Sequence, residues 1–272
     1  MKAELRKAVR RYIFYTLGLS VLLTIPRVLL HPRHLTRMAV SCAAMWVPAL
    51  GAWIVTCRYP GVSLQYGIKK CLPRYVLASL LIPIGYLGAS FIVCFSRLPS
   101  PVMGWHMLGA AGLIVLELFR AAGEEIGWRG FLYPALEQLY GLRRGLLLGG
   151  LVWAVWHYPL ILGGLYLTGT PRWWSIPIFT VEILSMGVIL AWLCHRSDSL
   201  LPAIVMHAAH NYMLPLLIAS AKNWSGWAYR FGEQGMMTAA MTAGIAGLLL
   251  AFGWNDDRKL KRTENGTRGI KN

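Results

Sequence analysis

Eight apolar runs of about twenty residues, separated by short polar connections, govern what this chain can fold into. They lie at about 12–30, 38–57, 74–96, 102–122, 145–166, 174–194, 200–220 and 236–254. About twenty apolar residues in a helix cross the ~30 Å hydrocarbon core of a bilayer. Lipid offers nothing to an open backbone N–H or C=O, so a spanning segment of this length must satisfy itself as a helix. The sequence therefore predicts an all-α, polytopic integral membrane protein of about eight transmembrane helices. These form a single domain over 1–272, since neither an internal repeat nor a long linker divides the chain. Composition agrees, with 56% hydrophobic and only 14% charged residues, against roughly a quarter charged in soluble domains. Twelve Trp and twelve Tyr suit helices that end at the membrane interface. A water-soluble enzyme is excluded. Five scattered cysteines with no CxxC exclude a disulfide framework.

The net charge of +16 would suggest nucleic acid in a soluble protein. Here Lys and Arg fall mostly between the apolar runs, where they set topology and meet anionic lipid, so no nucleic-acid partner is expected. The basic start MKAELRKAVRRY leads straight into an apolar run with no small-x-small cleavage site after it. It is read as an uncleaved first span. With the N-terminus inside, 20 of the 27 Lys and Arg lie on the inner side and 7 on the outer. The expected setting is the cell inner (plasma) membrane with both termini cytoplasmic. The polar stretch 255–272 is expected to be a loose tail.

Charges inside spans are expensive and need a partner or a task. The fourth run continues into ELFRAAGEEIGWRGFLYPALE, with Glu117, Arg120, Glu124, Glu125 and Arg129 within thirteen residues. Glu117 and Arg120 are i,i+3; Arg120 and Glu124, and Glu125 and Arg129, are i,i+4. Such pairs share a helix face. Neighbouring residues project about 100° apart, so Glu124 and Glu125 cannot play the same part. If Arg129 holds Glu125, Glu124 is the freer carboxylate. In the fifth run His157 lies twelve residues beyond Gly145, about 18 Å along a helix and so well inside the bilayer, with Trp153 one turn before it. In the seventh, His207 and Asn211 share a face that His210 borders.

Each set alone has an ordinary reading: a solvated helix end, a packed histidine, interhelical hydrogen-bond glue. Together they form a more specific pattern, which resembles the CPBP family of intramembrane proteases. That family includes CAAX prenyl proteases and bacteriocin-processing or self-immunity proteins. Its EExxxR motif matches Glu124-Glu125-Ile126-Gly127-Trp128-Arg129. Its FxxxH motif matches Trp153 to His157 with Trp in place of Phe, and HxxxN matches His207 to Asn211. The likeness covers about 117–215, the expected protease core. The Trp leaves less room than Phe, which bears on pocket shape and substrate size.

The resemblance implies a glutamate-type endopeptidase acting on membrane-associated or lipidated, CAAX-like peptides. Glu124 would be the general base, and His157 would position the water and shuttle a proton. His207 and Asn211 would donate hydrogen bonds to the oxyanion. Glu125, Arg129 and Trp153 would support them. No cofactor is required on this reading. The rival is a zinc site of Glu124, His157 and His207, although the HExxH spacing is missing. A non-catalytic scaffold or bacteriocin-immunity protein is the alternative of another class, and an ion path a weaker one. The partners expected are a membrane-associated peptide or protein substrate and the bilayer itself.

The charge asymmetry generates one prediction. A cysteine placed in the 255–272 tail should react with a membrane-impermeant maleimide only after the cytoplasmic face is opened. Labelling from the outside would reverse the topology.

Overall fold

A computed structural model describes residues 2–30, 34–95, 110–221 and 225–254. All regular structure among them is helical. The long helices are α1 (Lys2–Leu30), α2 (His34–Arg58), α3 (Pro73–Phe95) and α4 (Ala110–Gly127), followed by α6 (Leu142–Leu162), α7 (Arg172–Ser197), α8 (Leu201–Ala221) and α10 (Met236–Leu248). Short α5 (Tyr133–Tyr140) follows α4, and α9 (Trp227–Arg230) precedes α10.

Among the described residues, six helices are long and apolar enough to cross a membrane: those over Lys2–Val28, Met38–Arg58, Leu142–Leu162, Arg172–Ser197, Leu201–Ala219 and Met236–Gly253. The chain is a multi-pass membrane protein. α4 falls outside that set because it carries Glu117, Arg120, Glu124 and Glu125 in eighteen residues. Helix ends overrun the apolar runs where polar flanks adjoin them, whereas α6 stops at Leu162, short of its run to 166. α1 begins at Lys2 rather than near residue 12, and α7 overruns its run at both ends. Helical geometry continues through polar flanks, whereas hydropathy stops at them. The fourth run was expected from 102; residues 102–109, like the 255–272 tail, lie outside the described residues.

Three pairings place the site. α2 packs on α4, α4 on α8, and α6 on α7. The first depends on two glycines one turn apart. A Cβ on Gly123 would lie 2.7 Å from the Met45 carbonyl oxygen, and one on Gly127 would lie 2.4 Å from the Pro48 backbone. Small residues at this spacing let helices approach closely in lipid, and here they press the charged stretch of α4 against α2.

Just past Gly127 the helix widens into a π segment, Trp128–Leu132, closed by the Tyr133 N–H on the Trp128 carbonyl. All five of its residues are buried. A regular α-helix at a bundle surface turns some of any five residues outward. The wider turn, a form that concentrates at functional sites, keeps both Trp128 and Arg129 inside. Gly141, at φ 82°, then reverses the chain into α6, which lies back against α5.

The α2–α4 contact predicts that Gly127→Ala destabilises the purified protein by about 1–3 kcal/mol, the scale of overpacking a filled interface. Gly85→Ala, where a Cβ meets nothing within 4 Å, should be neutral. Thermal unfolding in detergent compares the two. Equal stability of both variants would remove the close-approach argument.

Candidate active site

Every charged or polar side chain of the α4 stretch is assigned by helical spacing first and by a neighbouring helix second. Glu125 Oε1 accepts from Arg129 Nη1 at 3.0 Å, the i,i+4 pair expected from the sequence, and both side chains are closed off from solvent. The same oxygen accepts from His207 Nδ1 of α8 at 2.7 Å. This second partner was not expected from the sequence. It makes Glu125 a bridge between α4 and α8 as well as a brace within α4.

Arg129 grips Glu125 through a single hydrogen bond, from Nη1. Its guanidinium lies 4.1 Å from the Trp153 ring centroid and 4.7 Å from that of Tyr133. A planar, weakly hydrated cation suits such aromatic faces, so the rings take the place of a second hydrogen bond.

Glu124, 2% exposed, is held differently. Its Oε2 accepts two indole N–H groups, from Trp128 at 3.1 Å and from Trp153 of α6 at 2.8 Å. Among the described residues no cation is paired with it, in contrast to Glu125. The two adjacent carboxylates thus have separate surroundings, as their 100° separation on the helix requires.

His157 donates from Nδ1 to the Trp153 carbonyl at 2.9 Å. A carbonyl only accepts, so Nδ1 is the protonated nitrogen of the neutral ring and Nε2 carries the lone pair. Trp156 meets the ring edge-on at 4.6 Å, Phe179 at 5.0 Å, and Tyr166 stacks at 5.9 Å. Asn211 Nδ2 makes a long 3.4 Å contact to Glu117 Oε2. Glu117 is held in turn by Arg120 at 2.5 Å, whose guanidinium also reaches Ser41 of α2 at 3.2 Å.

Glu124, His157, His207 and Asn211, from α4, α6 and α8, line one cavity of about 190 Å³. That is far above the roughly 10–15 Å³ that one water needs on this measure. The supporting residue Trp153 lines it too, while Glu125 and Arg129 stand behind it.

The cavity also contains residues the sequence reading passed over. Glu182 of α7 is buried and accepts from Thr242 of α10 at 2.6 Å. Glu233, in the turn before α10, accepts from the Tyr166 hydroxyl and faces His210 Nε2 at 3.4 Å. The other His210 nitrogen, Nδ1, is 2.6 Å from the Tyr86 hydroxyl. Burial pushes the Glu233 carboxyl up, but His210 and Tyr166 outweigh it and hold the group below the usual carboxylate range. Glu182 could have been found, because a lone carboxylate in the apolar run TVEILSM is itself a signal. Glu233 sits in a polar connection and carried none.

The zinc set of Glu124, His157 and His207 meets in the cavity wall, yet no three His, Cys, Asp or Glu among the described residues are grouped so as to hold a metal ion. The Nδ1 atoms of both histidines are taken by Trp153 and Glu125.

Comparison with known proteins bears on this arrangement. Residues 104–213 match the family model described as type II CAAX prenyl endopeptidase, Rce1-like. A stretch of 151 residues is 30% identical to the CAAX prenyl protease 2 of Methanococcus maripaludis and covers 54% of each chain. The chain thus spans about half the length of that curated relative. Both findings support the CPBP family for the part of the chain that carries the three motifs.

The stacked geometry of Arg129 predicts that Arg129→Lys loses about 1–2 kcal/mol of stability although the charge is kept, because an ammonium cannot lie flat between two rings. Chemical or thermal unfolding in detergent would measure it. A variant as stable as the parent would mean that the ion pair alone holds Glu125.

Proposed function

We propose that this chain, CPBP-like over its motif-bearing half, is an intramembrane endopeptidase that hydrolyses membrane-associated or lipidated, CAAX-like peptides with a glutamate-activated water. The observation that carries the reading is the single cavity shared by Glu124, His157, His207 and Asn211. Peptide hydrolysis needs a base for water, donors for the oxyanion and a proton for the leaving amine. Those four side chains can supply all three.

In this reading a water lies between Glu124 and the scissile carbonyl carbon. Glu124 takes one of its protons as the new C–O bond forms. Two indole donors on Oε2 leave Oε1 for that transfer. His157, with Nδ1 committed to a carbonyl, accepts from the same water through Nε2 and so aims its lone pair. The carbonyl oxygen becomes an oxyanion that accepts from Asn211 Nδ2 and from His207 Nε2. The Glu125 carboxylate across the ring balances the charge of a doubly protonated His207. The proton then passes to the amide nitrogen and the C–N bond breaks, leaving a free carboxylate and a free amine. Arg129 acts through Glu125, and Glu117 acts through Asn211. Both termini are cytoplasmic in this proposal, and the inner side of the plasma membrane is where the peptide is met.

The test uses the purified full chain and a fluorogenic prenylated peptide ending in a CAAX sequence. Glu124→Gln should abolish cleavage without changing yield or unfolding temperature. Asn211→Ala should cost on the order of 10²–10³ in kcat, the scale of one oxyanion donor, and Asn211→Asp more. Activity should survive a strong chelator. Activity lost on chelation and restored by zinc would transfer the reading to a metalloprotease. A Glu124→Gln protein that cleaves normally would remove Glu124 as the base, and a parent chain that cleaves nothing would leave only a scaffold.

A further inference from the structure

We infer that Trp153 and Trp128 are positioning residues for the base: their two indole N–H groups fix Oε2 of Glu124 and thereby direct Oε1 at the substrate water. The inference deepens the proposed peptidase reading and rests on it for its kinetic part.

The argument begins with the position of Glu124. It is one turn before Trp128 on the same helix and across the interface from Trp153 on α6. Both indole nitrogens reach the same oxygen, at 3.1 and 2.8 Å, and both rings are buried at 2% exposure or less. Indole is a donor that never accepts and never ionises in the working range. It can therefore stabilise a carboxylate without offering it a proton or competing as a base. A cation in this place would also hold the carboxylate, but would draw away its basicity more strongly. Two neutral donors on one oxygen restrict rotation about the terminal torsion, which is otherwise broad. They leave the second oxygen as the nucleophile-activating atom.

Trp153 can hold this place because its own ring is pinned. Arg129 lies over one face at 4.1 Å, and the His207 ring meets it edge-on at 5.7 Å. Its carbonyl takes the His157 Nδ1–H. One residue thus touches the base, both histidines and the buried arginine. Trp128 is pinned by Tyr12 at 5.9 Å and Trp156 at 5.9 Å, and the π turn keeps it inside. A Phe at 153 would retain an aromatic ring beside Arg129 while removing the N–H and part of the indole's bulk.

The experiment compares Trp153→Phe and Trp128→Phe with the parent chain, with Trp173→Phe as the control at an exposed site. Each lost donor to a carboxylate should lower kcat about 10- to 100-fold on the prenylated fluorogenic peptide. KM should be unchanged in Trp128→Phe, whose ring does not line the cavity, because the donor acts on the base and not on substrate. Independently of activity, the Glu124 carboxylate stretch, isolated as the infrared difference between the parent and Glu124→Gln, should shift in both variants and not in Trp173→Phe. If Trp153→Phe fails to fold, Trp128→Phe reads the same oxygen. A carboxylate band that stays in place, or a loss expressed in KM alone, overturns the inference. A parent chain that cleaves no peptide defeats the peptidase reading instead, and the infrared band still decides whether the indoles hold Glu124.

Discussion

A carboxylate without water needs compensation from its neighbours, and in this protein that requirement organises the whole polar centre. Glu125 is completely buried. An uncompensated charge in such a place costs several kcal/mol even after relaxation. Arg129 and His207 share its Oε1, so one donor a turn further along the same helical stretch and one from α8 converge on a single oxygen. The close α2–α4 crossing at Gly123 and Gly127 and the π turn after it both serve to keep Arg129 within reach. Removing Arg129 or His207 would leave the Glu125 charge less compensated.

Aromatic residues do much of the work that water does in a soluble active site. Trp153 and Tyr133 accept the Arg129 cation on their faces. Trp128 and Trp153 supply donors to Glu124. Trp156, Phe179 and Tyr166 enclose His157. Rings bury large apolar area while offering a quadrupole or one N–H, so they solvate a charge without bringing a second one. The result is a carboxylate and a histidine in an aromatic wall facing a cavity of about 190 Å³, where electrostatic interactions act at short range and with little screening.

A second polar layer lies on the α7–α10 side. Glu182 on Thr242, and Glu233 between Tyr166 and His210, face the same cavity as the three motifs. Tyr166 stacks on His157 while its hydroxyl engages Glu233, so the two layers touch at that residue. His210, which bordered the His207–Asn211 face in the sequence, belongs to this layer through Tyr86 and Glu233. Glu182 and Glu233 add two carboxyl groups to the cavity wall beyond those of the motifs.

Local periodicity was sufficient for most of what one helix decides, although the i,i+4 spacing of Arg120 and Glu124 gave no pair, since Arg120 holds Glu117 and Glu124 takes two indoles. Eight apolar runs announced a helical membrane protein, because backbone hydrogen bonding in lipid permits little else. The i,i+4 spacing paired Glu125 with Arg129 and set Glu124 apart. The three motifs pointed to one site from residues scattered over nearly a hundred positions. What the sequence could not contain is the partner across an interface. The sharing of Glu125 by His207, the second indole on Glu124, the stacked in place of forked arginine and the place of Glu233 all depend on how helices cross. So does the π turn, since a single extra residue per turn is stabilised by the packing of Trp128 and Arg129 inward and leaves no period to read. Hydropathy and spacing are properties of one helix; hydrogen bonds between helices, and the cavity they surround, exist only after glycine contacts and buried charges have fixed which faces meet.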